Sequence, residues 1–229
     1  MKNLAIIPAR SGSKGLKNKN IMELNGMPLL AYSINAALKS GKFSHVMVST
    51  DSKEYAEIAK KYGAEVPFLR DEISSSDSAS SWDVVKEVLN KYEDLGITFD
   101  TVTLLQPTSP LRTEVDICNA HNLFSEKKAT SVISVCETEH SPLWCNVLSD
   151  SLCMDGFLNN KNNSQRQKLD TYYRINGSIY IVDVKHFLSG KNIYDSGSYA
   201  YIMPINRSVD IDTKVDFIIA EALIKHLSE

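Results

Sequence analysis

Cysteine is sparse in this chain and badly spaced for metal. The four cysteines, Cys118, Cys136, Cys145 and Cys153, include no CxxC pair. A zinc site is therefore not expected, and reduced thiols in a cytoplasmic protein are. Long hydrophobic runs are also missing. No stretch approaches the roughly 18–20 apolar residues that span a bilayer, and the opening MKNLAIIPAR has too short an apolar part for a signal peptide. No membrane partner is expected, and without a secretory route the sequons at Asn162, Asn176 and Asn206 say nothing about glycosylation. An excess of charge of one sign is lacking as well. Twenty-five basic residues against 28 acidic leave a net charge of −3, which argues against broad nucleic-acid binding but leaves room for a local basic pocket.

What is present suits a folded core: 229 residues, 43% of them hydrophobic, enough for one domain. Leu4 to Pro8 is a short apolar run and reads as a buried parallel strand. Residues 28–39 place Leu29, Leu30, Ile34, Ala37 and Leu38 on one helical face, with Pro28 suited to a first turn. A second strand is predicted over His45–Thr50, and helices over 52–62 and Trp82–Tyr92. A third strand is predicted over Thr101–Leu105, and a fourth over Thr130–Val135. Strands are expected again at Ser178–Val182 and Tyr201–Pro204, and a closing helix at about Lys214–Leu227. Strands alternating with helices imply an α/β, doubly wound, mostly parallel sheet with right-handed crossovers. Residues 138–174 break the pattern. They are polar, Asn-rich and too long for an ordinary loop, so they are expected to be an arm inserted into a single domain over 1–229.

The first loop, Ala9 to Asn20, is the main clue. It contains the cations Arg10, Lys14, Lys17 and Lys19, the glycines Gly12 and Gly15, the serines Ser11 and Ser13, and no acid. Glycines let backbone N–H groups approach an anion, arginine offers phosphate a planar fork and lysine a point charge. A polyphosphate beyond the end of a first parallel strand fits this chemistry. The bland alternative is a solvated basic loop. The spacing is neither GxxxxGK[ST] nor GxGxxG, so ATPase and dinucleotide readings lose their usual support.

Near the other end stands Val209-Asp210-Ile211-Asp212. In extended backbone, acids two apart share a face and repel unless a cation lies between them, and hard oxygen donors of this kind suit Mg²⁺ bound beside phosphates. The alternative is a surface acid next to a helix cap, for which Asp212 and Thr213 are both placed. Asp216 looks structural. A polyphosphate loop and an acid pair in one α/β domain point together to nucleotidyl transfer. The five histidines are scattered, and none is an evident base.

These residues resemble a known family. IPARSGSKGLKNKN, LLQPTSPLR at 104–112, RINGSIYI at 174–181 and SVDIDTKVDF at 208–217 are similar, in order, to motifs of the acylneuraminate cytidylyltransferases (CMP-sialic acid synthetases). The resemblance implies a nucleotide-diphospho-sugar transferase-like fold with a small dimerisation arm. It implies Mg²⁺-dependent transfer of CMP from CTP to a nine-carbon 2-keto sugar acid, in a homodimer. By the same resemblance Arg10, Ser13 and Lys19 hold the triphosphate, Lys14 is a further phosphate candidate, and Ala9 belongs to the nucleotide-binding set. Asn20, Arg70, Ala79 and Ser81 lie near the cytidine. Gln106, Arg166 and Tyr180 meet the sugar, Arg166 from the neighbouring subunit's arm, and Asp210 and Asp212 hold the metal. Two departures fall on the sugar side. Trp144 stands where well-known sialic acid enzymes have lysine, and Ile193-Tyr194 stands for an aromatic pair. Legionaminic or pseudaminic acid enters as an alternative sugar on that ground. The eight-carbon acid of lipopolysaccharide fits the motifs less well, and a silent nucleotide-sugar sensor would lack the acids that are present.

Overall fold

A computed structural model describes residues 1–12, 15–71, 80–158 and 169–227. Its centre is a six-stranded sheet built from β1 (Asn3–Pro8), β4 (His45–Ser49), β5 (Thr101–Leu104), β6 (Ser131–Glu137), β7 (Tyr173–Asp183) and β8 (Ser198–Ile202), in the order β4-β1-β5-β7-β6-β8. Every neighbouring pair is parallel except those of β7, which runs antiparallel to both β5 and β6. The sheet is mixed and mostly parallel, as expected. The antiparallel direction of β7 was not, because hydrophobic periodicity is blind to chain direction.

Both faces of the sheet are covered. Along β1 the fully buried Ala5 and Ile7 pack with α1 (Leu29–Ser40) and α2 (Lys53–Lys61), while Leu4 and Ile6 pack with α3 (Ser81–Asp94) on the other side. This is why β1 reads as a continuous apolar run and not as an alternation. A smaller cluster, Leu24, Leu29, Ile211 and Ala220, seats the closing helix α6 (Lys214–Leu227) against the two-residue hairpin strands β2 (Glu23–Leu24) and β3 (Met27–Pro28). No helix among the described residues is long and apolar enough to cross a membrane.

Several expectations needed correction. Helix α4 (Glu114–Lys127) was not anticipated. Its buried face includes Asp116 and His121, which blurs the apolar stripe, though the Thr113–Asp116 capping box marks its start. Pro28 closes β3 and precedes α1 instead of opening it. A short helix, α5 (Val184–Leu188), follows β7 directly. β8 begins and ends earlier than expected. β7 opens at Tyr173, inside the span expected for the arm, because it pairs with β6 as far back as Tyr173↔Glu137. Between β6 and β7, residues 138–158 and 169–172 contain one 3₁₀ turn, Pro142–Trp144, and no strand or α-helix.

One buried ion pair ties the sheet edge to the segment preceding the acids. The Asp116 side chain is wholly buried and accepts from Arg207 at 2.9 and 3.1 Å, from Tyr201 at 3.2 Å and from Thr113 at 2.8 Å. Burial alone would raise its pKa, but the bonds from Arg207 and Thr113 outweigh that and hold it below the ordinary carboxylate range. Such a carboxylate adds stability that is complete above its unfolded pKa and is lost as pH falls through the folded value. Arg207→Met should therefore cost about 3 kcal/mol in urea unfolding at pH 7, the low end for an unpaired buried charge because Thr113 still donates. The gap to the wild type should close as the solution is acidified through the carboxylate range.

Candidate active site

The first loop folds back on itself just beyond β1. Ala9 is buried and its N–H donates to the Ser49 carbonyl at 2.8 Å. Ser11 donates to Asp51 twice, from its N–H at 2.9 Å and its hydroxyl at 2.8 Å. Burial would raise the Asp51 pKa, but these two bonds keep it below its usual value. Asn20 is buried in the 3₁₀ turn Lys19–Ile21, and its Nδ2 donates to the Arg10 carbonyl at 3.1 Å. The Asn20 side chain thus braces the backbone of the residue expected to meet phosphate.

Lys19 reaches across to the far end of the chain. Its Nζ donates to the Ile211 carbonyl at 2.5 Å and to Asp212 Oδ1 at 3.0 Å. Gly15 lies equally close: a Cβ built there would stand 2.7 Å from the Asp212 carbonyl oxygen, so no side chain fits.

The loop after β5 forms the facing wall. Gln106 follows the strand, and its carbonyl accepts from Ser33 at 3.3 Å and Arg112 at 3.3 Å. Arg112 is itself buried and also donates to the Ser178 carbonyl at 2.9 Å and to the Ser33 hydroxyl. Burial pulls its pKa down to about 10, against the opposite pull of Asp116, so it stays charged at neutral pH. Arg70 leaves Nη2 buried with no partner, while its Nε donates to Ser49 at 2.8 Å. Burial draws it down to about 10 as well, with Asp51 and Glu87 acting the other way.

The acids sit between these walls. Ile211, between the two in sequence, is fully buried, and Asp210 and Asp212 lie close enough for the Asp212 charge to act on Asp210. Asp212 is exposed at the cleft, and Asp210 is half-buried behind it. Burial first, and then the Asp212 charge, push Asp210 above the ordinary carboxylate range, while Thr108, Lys19 and Arg174 act in the opposite direction. Asp210 Oδ1 is buried with no hydrogen-bond partner. Asp212 does not cap α6. Thr213 does, exchanging bonds with Asp216 at 2.8 and 3.3 Å.

The resulting cleft has a volume of about 580 Å³. Arg10, Lys19, Asn20, Arg70, Ser81, Gln106 and Asp212, all singled out from sequence, line it together. Ala9 is buried and does not line it. Tyr180 stands off to one side, edge-on to Trp82 at 5.8 Å, and burial pushes its pKa up to about 12. Ser13, Lys14, Ala79 and Arg166 lie outside the described residues. No histidine lines the cleft among the described residues. Sequence reasoning missed Ser80, Thr108, Arg112 and Gly177 as individual site residues. Three of these lay inside motifs already noticed, and Ser80 was marked by its capping box with Asp83.

Gly177 is the sharpest of these. It has φ +74°, and a Cβ there would stand 3.1 Å from Gln106 Oε1 and 3.5 Å from Asp210 Oδ2. Gly177→Ala should lower stability by about 1–2 kcal/mol through backbone strain and displacement of Gln106. Gly12→Ala, where a Cβ meets nothing within 4 Å, should stay within about 0.5 kcal/mol of wild type. Thermal melts of the two variants make the comparison.

Comparison with known proteins gives this geometry its family. A solved structure of CMP:2-keto-3-deoxy-manno-octonic acid synthetase complexed with CTP superimposes with a TM-score of 0.74, covering 99% of this chain and 100% of that one. At 15% identity, that likeness shows the fold. The CMP-N,N'-diacetyllegionaminic acid synthase of Legionella pneumophila is 38% identical over 232 residues, 98% of this chain and 97% of that protein. The N-acylneuraminate cytidylyltransferase of Escherichia coli is 40% identical over 220 residues, 96% of this chain but 51% of that protein, so this chain spans about half its length. A family model described as Cytidylyltransferase matches residues 4–227. With nearly every residue inside that match, including the cationic loop and both acids, the chain belongs to the cytidylyltransferase family.

Proposed function

We propose that the protein moves CMP from CTP onto the anomeric hydroxyl of a nine-carbon 2-keto sugar acid, a nonulosonate, and releases pyrophosphate. The observation that carries this reading is the meeting of Arg10, Lys19, Arg70, Gln106 and Asp212 in one cleft of about 580 Å³. Cations set beside an acid in one cleft, with a second acid behind it, are suited to a nucleoside triphosphate and a divalent cation. Relatives named for CMP-legionaminate and neuraminate chemistry support the choice of acceptor.

In this reading the loop residues Arg10, Ser13, Lys14 and Lys19 take the triphosphate. Asn20, Arg70, Ala79 and Ser81 take the cytidine, and Gln106, Tyr180 and a partner arm's Arg166 take the sugar. The sugar hydroxyl attacks the α-phosphorus in line with departing pyrophosphate, a step that needs positioning and charge balance more than covalent help. Arg10 and Lys19 balance the charge growing on the leaving group. Lys19 does so from a fixed place, because its ammonium already spans the Ile211 carbonyl and Asp212.

The residues present fit a divalent cation. Asp210 Oδ1 is buried without a partner, and burial and the nearby Asp212 charge both raise the Asp210 pKa, so a cation beside the pair would be favoured. Mg²⁺ held by Asp210 and Asp212 would neutralise the pair and polarise the phosphate oxygens beside it.

Exposed apolar residues support a homodimer built through the arm. Val147, Leu152 and Met154 are 89%, 71% and 60% exposed, and Ile175 and Ile202 stand open on β7 and β8. Patches of this kind are covered by a partner in stable assemblies. A second reading of the sugar, legionaminic or pseudaminic acid, is favoured by Trp144. It is partly buried in the 3₁₀ turn Pro142–Trp144 and cannot supply a lysine's charge. Ile193 is buried in the core while Tyr194 is exposed, so only one of that pair is open to a sugar.

The test is pyrophosphate release from CTP and Mg²⁺ with a panel of 2-keto sugar acids. Turnover with at least one nonulosonate is expected, and silence with all of them overturns the reading. Asp210→Asn and Asp212→Asn should each lower kcat at least about tenfold, on the order of 1.4 kcal/mol. Lys19→Ala should weaken CTP binding or slow turnover, and normal kinetics would return that residue to a solvated loop.

A further inference from the structure

We propose that Arg112 is a positioning residue for the acceptor sugar: its buried guanidinium joins the backbone carbonyls of Gln106 and Ser178 and thereby fixes the Gln106 side chain in the cleft; this rests on the reading of Gln106 as a sugar contact given above. The ladder between β5 and β7 registers last at Leu104↔Tyr180. Two residues further along that register Gln106 would stand opposite Ser178, but the ladder stops short of it. Both carbonyls accept from Arg112 Nη1 instead, at 3.3 and 2.9 Å, and Nη2 donates to the Ser33 hydroxyl. Ser33, fully buried on α1, in turn donates to the Gln106 carbonyl at 3.3 Å. The fork where β5 and β7 part is therefore held from α1 and from the residue just before the α4 cap.

Gln106 lines the cleft beyond this fork, while Arg112, Ser33 and Ser178 do not. Its Oε1 lies against the bare α-carbon of Gly177, where a Cβ would stand only 3.1 Å away. Gly177 directly precedes Ser178, so one guanidinium grips both the root of the Gln106 amide and the backbone that the amide rests on. Filling the core does not account for an arginine here. Arg112 is 3% exposed, and Asp116, the acid whose charge acts on it, forms its ion pair with Arg207. An apolar side chain of similar volume would serve packing without that desolvation cost. What it would lack is a planar fork able to reach two carbonyls and a hydroxyl at fixed angles.

The experiment is a double-mutant cycle between Arg112 and Gln106. It is read as kcat and KM for a nonulosonate that the wild type turns over, with the CTP KM and Tm measured for every variant. Arg112→Met should lower kcat/KM for the sugar about ten- to a hundredfold, the scale of a misplaced contact, and leave the CTP KM within about threefold of wild type. Gln106→Ala should show a loss of the same order, and adding Arg112→Met to it should cost less than about threefold more, because residues that act through one another are not additive. A purely structural arginine would cost as much beside Gln106→Ala as without it, and that additive result overturns the proposal. Wild-type kcat/KM in Arg112→Met overturns it too. Should Arg112→Met not fold, Ser33→Ala decides, since it removes one bond to the Gln106 carbonyl and one from the guanidinium. It should raise the sugar KM about threefold and have no effect beside Gln106→Ala; an effect that persists there, or none in either background, overturns the proposal. Gln106→Ala with wild-type sugar kinetics defeats the reading of Gln106 as a sugar contact and this inference with it. A loss in Gln106→Ala with a silent or additive Arg112→Met defeats the inference alone.

Discussion

The backbone of Ile211 is fastened at both ends, and the site depends on that fastening. Its N–H is taken by the Thr108 carbonyl and its carbonyl by the Lys19 ammonium, while its side chain is sunk in the cluster of Leu24, Leu29 and Ala220. A residue held this way has almost no torsional freedom left. The acids on either side inherit its fixity without being in regular secondary structure. The same contacts join three distant parts of the chain, the opening loop, the turn after β5 and the approach to α6. The cleft is therefore a product of tertiary closure and not of any single element.

The electrostatics follow from this closure. Lys19 lies between the loop and the acids and bonds both the Ile211 carbonyl and Asp212. Arg112 is buried and Arg70 partly buried, and burial pulls both down to about 10 yet leaves them charged at neutral pH. Their roles differ. Arg112 does not line the cleft; its Nη atoms donate to the Gln106 and Ser178 carbonyls and to Ser33, while its Nε is buried without a partner. Arg70 lines the cleft, and its Nη2 is buried without a partner.

Much of this was legible in the residues. The cationic Gly/Ser loop announced itself because it follows a fully apolar strand, and the acid pair because Ile211 separates two carboxylates at strand spacing. Gln106 stood out at a strand's carboxyl end. What was not legible depended on contacts between residues far apart in the chain. Thr108 and Gly177 look like turn residues until the first is found bonding the Ile211 N–H and the second against Gln106. Helix α4 was hidden because its buried face includes the charge of Asp116, which makes sense only once Arg207 is opposite it. The direction of β7 leaves no mark on hydrophobic alternation, and the left-handed turn at Gly177 was visible only as one glycine within a motif.

That reversed strand has a consequence for how such a molecule can vary. Because β7 runs against its neighbours, the connection from β6 departs and returns at the rim where β5 delivers Gln106, and Tyr173 pairs with Glu137 at that same rim. Residues added to or removed from this connection change what stands at that rim and leave the packed layers beneath unaltered. The cleft itself, closed by Lys19, the turn after β5 and Asp212, draws none of its lining among the described residues from that connection.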